Sequence, residues 1–101
     1  MIELLYFTGK TCGVCQVLKP KLLEAVHENF PEVKIRVVDV EEESELAGQS
    51  MVFTLPVVIL KQEGKEMFRF ARSFSVYQVL EKVKQISSIS YLFERRREAF
   101  C

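Results

Sequence analysis

The chain has 101 residues, enough for one domain that buries roughly two-thirds of its unfolded surface. Its apolar share of 49% excludes a disordered polymer. Fourteen Lys and Arg cancel fourteen Asp and Glu, so no global field points to nucleic acid or to an anionic membrane surface.

The first segment, Met1 to Phe7, has no basic flank and no long apolar core, so it reads as a strand rather than a signal peptide. No apolar stretch approaches the roughly 20 residues of a membrane span. A soluble, cytoplasmic protein is expected. The run Ile2 to Phe7 is nearly continuous in apolar residues, which suits a strand buried on both faces. Thr8 to Thr11 is a loop, and Cys12-Gly13-Val14-Cys15 follows it. The next residues form an amphipathic helix, with Val14, Val17, Leu18, Leu22, Leu23 and Val26 on one side. Pro20 interrupts that helix and predicts a kink near Gln16.

This order puts both sulfurs at a helix N-terminus, where unpaired N–H groups and the helix dipole favour negative charge. A thiol held there ionises readily, and the thiolate is the form that attacks disulfides. The two-residue gap also lets the second sulfur close a small ring with the first. On spacing alone, two buried thiols or half of a zinc site remain as alternatives. A structural zinc needs four ligands, and only His27 and Cys101 are left, with no ligand spacing between them. Three cysteines are too few and too unevenly placed for a secreted disulfide scaffold.

Phe30-Pro31 ends the first unit. Val33 to Val40 is a second strand, rich in β-branched residues and parallel to the first through a right-handed crossover. Glu41 to Glu45 is an acidic, solvated turn into a short helix at Ser44 to Gln49. Pro56 opens a third strand, Val57 to Lys61; a turn at Gln62 to Lys65 returns the chain as Glu66 to Ala71, antiparallel to the third. Ser75 and Gln78 have capping-box spacing, and Val76, Val79, Leu80, Val83 and Ile86 continue at helical spacing. A last helix from Ser75 to Glu98 would run about 36 Å, longer than the domain needs. Its end is a frayed terminus, or it folds back, or it overhangs and presents Tyr91, Leu92, Phe93 and Phe100 as a candidate partner or dimer contact, with Cys101 a free thiol. The resulting order, β-α-β-α-β-β-α, is an α/β sandwich with a central four-stranded mixed sheet.

Four features together resemble the thioredoxin-like superfamily: the CGVC dithiol at a strand–helix junction, Pro20 five residues after Cys15, Val38-Asp39-Val40, and Thr54-Leu55-Pro56-Val57. The resemblance spans about residues 2 to 88 and implies a three-layer α/β/α fold, with a domain at 1–88 and a helical extension or tail at 89–101. It implies a cis bond before Pro56, and a groove of Thr54, Leu55 and Pro56 that receives an extended substrate segment. It also implies reduction of protein disulfides by Cys12 as nucleophile and Cys15 as the more buried resolving thiol. No cofactor is implied beyond an external electron donor, either thioredoxin reductase-like or glutathione.

The chain departs from the family at several places. It begins directly on the dithiol strand. Tyr6 stands where thioredoxins carry a buried acid that helps take the proton from the second cysteine. Thr11 replaces a tryptophan, and Gly13-Val14 differs from the usual dipeptides. Tyr6 and Lys10 are therefore candidate modulators of the thiols, with Gly13 and Val14, whereas Lys19 and His27 read as surface residues. The rival reading is a redox-silent or redox-sensing binding module on the same fold.

Overall fold

The two most apolar strands occupy the centre of the sheet. In the computed structural model, which describes residues 1–99 and side chains through Ser87, the elements are β1 (Ile2–Thr8), α1 (Gly13–Asn29), β2 (Lys34–Asp39), α2 (Ser44–Gln49), β3 (Val57–Gln62), β4 (Lys65–Ala71) and α3 (Val76–Ala99). The sheet order is β2-β1-β3-β4. β1 runs parallel to β2 and antiparallel to β3, which pairs antiparallel with β4. This is the expected β-α-β-α-β-β-α arrangement and mixed sheet.

Side chains alternate between the two faces of the sheet. On one face, Leu4, Tyr6, Val58 and Leu60 pack with Leu22 and Val26 of α1 and with Val79, Val83 and Ile86 of α3. On the other, Leu5, Phe7, Val38, Val57 and Ile59 are covered by Leu46, Val52 and Leu55, from α2 and the segment after it. Farther along that second face the paired row Lys34, Glu3, Lys61, Glu66 crosses all four strands with alternating charge. Opposite charges across neighbouring strands are mutually favourable, so the sheet can end there in solvent without a second covering helix.

α2 is held at both ends by arginines of the edge strands. Arg36 of β2 reaches Glu43 at 2.6 Å, and Arg69 of β4 donates to the carbonyls of Ser50 at 2.7 Å and Met51 at 3.2 Å. A cation at the C-terminal carbonyls suits the helix dipole. Arg69 thereby ties down the start of the segment leading to Pro56.

The capping box forms as expected: Gln78 N–H donates to Ser75 Oγ, and Ser75 N–H to Gln78 Oε1. α1 continues through Pro20 to Asn29, and α3 runs unbroken to Ala99. The side-chain contacts expected of Tyr91, Leu92 and Phe93, and the whole of Phe100 and Cys101, lie outside the described residues.

One expectation is corrected. Val14 and Val17 do not face the core; they are 61% and 60% exposed. The buried side of α1 is Cys15, Leu22 and Val26, with Leu18 packed beside them. A period set by Cys15 rather than by Val14 puts the two valines on the outer surface, next to the dithiol.

Candidate active site

The C-terminal ends of β1, β2 and β4 and the start of β3 meet at one edge of the sheet. The loop after β1 is closed by its own backbone, since Cys12 N–H donates to the Gly9 carbonyl at 3.2 Å. Gln16 Nε2 donates to the same carbonyl at 3.4 Å. These bonds seat Cys12 as the N-cap of α1, with φ −91° and ψ 99°.

In that position the Cys12 sulfur accepts the Cys15 N–H at 3.2 Å. It fills the place that a serine or aspartate oxygen takes at an ordinary N-cap. That N–H places the sulfur at the positive end of the helix. Cys12 and Cys15 are joined as a disulfide with a Cα–Cα distance of 5.3 Å. Cys12 is half-buried and Cys15 has no exposed surface, so an incoming group meets Cys12 first.

Beneath them Tyr6 is fully buried, and its hydroxyl donates to the Cys15 carbonyl at 2.9 Å. Burial pushes its phenol above the ordinary 10.0, so Tyr6 is a neutral donor near neutral pH and not a base. Stability linked to Tyr6 is therefore full below pH 10 and declines above it, because the unfolded chain releases the phenolic proton first. We expect Tyr6→Phe to cost about 1 kcal/mol at pH 7. It should also flatten the alkaline fall in stability, by up to one proton per molecule. Urea unfolding between pH 8 and 11.5 checks both; an unchanged alkaline slope would contradict this role.

Lys10 lies 3.8 Å from Glu42, both at the surface; its structural contact is with that acid. Gly13 opens α1 in free space. Lys19 is half-buried, and His27 is exposed in the last turn of α1. Val14 and Val17, with Leu18 and Lys21, line an apolar depression beside the dithiol.

The Leu55–Pro56 peptide bond is cis. Pro56 is buried, and Thr54 and Leu55 are half-buried. Among the described residues, the Leu55 N–H and carbonyl take no backbone hydrogen bond. Two further residues of this wall escaped the sequence reading. Phe53 is 82% exposed. Gly9 is in close approach: a Cβ there would fall 2.9 Å from Leu55 Cδ1. The dithiol loop and the loop before β3 thus touch through a glycine, whose only sequence signal was its place between strand and dithiol.

The family model "Thioredoxin" matches residues 2–85. Among curated proteins, the chain is 33% identical over 82 residues to "Thioredoxin-like protein YdfQ" of Bacillus subtilis, covering 81% of this chain and 72% of that protein. It is 38% identical over 68 residues to the thioredoxin of Chlamydia trachomatis, covering 67% of this chain and 66% of that one. A segment amounting to 13% of "NADPH-dependent thioredoxin reductase 3" of Arabidopsis thaliana matches 67% of this chain at 36% identity. Among solved structures, thioredoxin 1 from Thermosipho africanus superposes with a TM-score of 0.80 and 35% identity, covering 88% of this chain and 98% of that one.

Proposed function

This chain belongs to the thioredoxin family, and on that premise we propose that Cys12 is its attacking sulfur and Cys15 its resolving one. The activity itself is thiol–disulfide oxidoreduction on protein disulfides. The observation that carries the assignment is the asymmetry of the pair. Cys12 is the more accessible sulfur and takes the Cys15 N–H, whereas Cys15 is closed off from solvent.

In the reducing direction, the Cys12 thiolate attacks one sulfur of the substrate disulfide. That bond breaks, and the departing substrate thiolate takes up the proton that Cys15 gives up, because the neutral Tyr6 phenol cannot accept it. Cys15 then attacks Cys12 Sγ. The mixed disulfide breaks and releases the second substrate thiolate. Two electrons have passed from the dithiol to the substrate, leaving Cys12–Cys15 oxidised.

The substrate segment lies along Thr54, Leu55 and Pro56. The free Leu55 backbone groups support pairing with an extended chain, and Val14, Val17 and Phe53 supply an apolar rim. Lys10 and Gly13 border the thiols. The redox domain comprises residues 1–88, and residues 89–101 are an extension that serves as a partner contact.

We assign the electron donor to a thioredoxin reductase and the working compartment to a reducing cytoplasm. The likeness to part of a thioredoxin reductase protein supports the donor. The test is reduction of insulin disulfides with NADPH, coupled either to a thioredoxin reductase or to glutathione and glutathione reductase. We expect sustained turnover with the first. Turnover with glutathione alone would overturn the donor assignment.

A further inference from the structure

The sheet edge that carries the dithiol is charged oppositely at its two ends. Across the order β2-β1-β3-β4, the segment after β2 is the acidic run Glu41 to Glu45, and the segment after β1 holds Lys10 and the dithiol. The segment before β3 is Thr54 to Pro56, and the first residue after β4 is Arg72. Lys10 is engaged by Glu42 at 3.8 Å. Among the described residues, Arg72 has no carboxylate within ion-pair distance, and it is exposed.

Arg72 is also built into the wall of the site. Its N–H donates to the Pro56 carbonyl at 3.0 Å, which fixes its backbone beside the loop whose Leu55 touches Gly9 of the dithiol loop. Its φ is +65°. Glycine takes that conformation freely, whereas a residue with a Cβ takes it at a penalty. A strained backbone beside a reactive site points to a side chain with a task there. A guanidinium at that place, with no carboxylate of the described residues within ion-pair distance, is suited to a carboxylate of the substrate.

We propose that Arg72 determines substrate specificity: the protein prefers disulfides flanked by an acidic residue, whose carboxylate meets Arg72 on the β4 side of the groove. The inference rests on reading Thr54 to Pro56 as the substrate groove. The acidic run at the β2 end reinforces the preference, because it repels the same peptide bound in the reverse direction.

The test uses the full chain and one peptide disulfide made with Glu, Gln or Lys at each position flanking the cystine. The readout is the ratio of kcat/KM for the Glu peptide to that for the Lys peptide, measured within each variant. For the unmodified protein we expect a ratio of roughly five to ten at low salt, falling toward one as salt rises. Arg72→Lys should retain most of it, Arg72→Gly should bring it to about one, and Arg72→Glu should invert it. The thermal midpoint of Arg72→Gly serves as the folding check and should equal or exceed that of the unmodified protein. An unmodified protein with no preference, or an Arg72→Gly variant with the original ratio, would overturn the proposal. If none of the peptides is reduced while insulin is, the groove reading fails with it; reduction of all three at equal rates would leave the groove intact and remove Arg72 alone.

Discussion

Replacing Cys12 with serine reduces turnover of protein disulfides by roughly three orders of magnitude or more, whereas replacing Cys15 with serine halts the reaction at a covalent adduct. The two results differ because the sulfurs have different surroundings. Cys12 is the N-cap, accepts the Cys15 N–H at 3.2 Å and is open to an incoming disulfide. Without it no sulfur is left at the surface of the site, since Cys15 has no exposed area. Without Cys15, the first exchange still occurs and the second has no attacking group, so the substrate stays bound to Cys12. Mass spectrometry of the Cys15→Ser protein after exposure to a protein disulfide should find the adduct on Cys12. The Cys12→Ser protein should give none; an equal yield on Cys15 would reverse the assigned roles.

Phe7→Ala should remove about 3–5 kcal/mol of stability, a large part of the roughly 5–15 kcal/mol that holds a domain together. Phe7 is fully buried in an inner strand, level with Val38 on one side and Val57 on the other. The cover above it is the six-residue α2 and the segment bearing Val52 and Leu55. Arg36 and Arg69 tether that cover to the edge strands, so it cannot settle fully into a cavity beneath it. The loss should also loosen Leu55, raising KM for protein substrates more than it lowers kcat. As a contrast, Val17→Ala, at a site 60% exposed, should shift stability by no more than about 0.5 kcal/mol. Urea titration of both variants checks the pair; a Phe7→Ala cost below about 1 kcal/mol would show that the cover does collapse.

The element order was legible because the two inner strands are nearly continuous apolar runs and α3 begins at a recognisable cap. Ser75 and Gln78 pair as their spacing predicts. The dithiol and Pro56 stand out chemically and could be placed from spacing and resemblance. Other features depend on contacts between segments distant in the chain. Val14 and Val17 fit an apolar stripe, but the packing of Cys15, Leu22 and Val26 turned the helix so that both valines face outward. Gly9 looks like any loop glycine until Leu55 is brought against it. Arg72 drew no reading from the sequence, and its place beside the site exists only once β4 pairs with β3 and its N–H meets Pro56. The register shift between Leu60 and Lys61, opposite Met67, has no local signature. Tyr6 was recognisable as a core residue standing where an acid is usual, but its bond to the Cys15 carbonyl required the folded helix.

The most direct test is a single-turnover reaction between the pre-reduced protein and excess insulin, with no other reductant present. One insulin disulfide should open for each Cys12–Cys15 bond that closes, with two new thiols on insulin for every two lost from the protein. If Cys12 and Cys15 close reversibly under an oxidant but no insulin thiols appear, the protein is a redox-sensing binding module and the dithiol-exchange account is wrong.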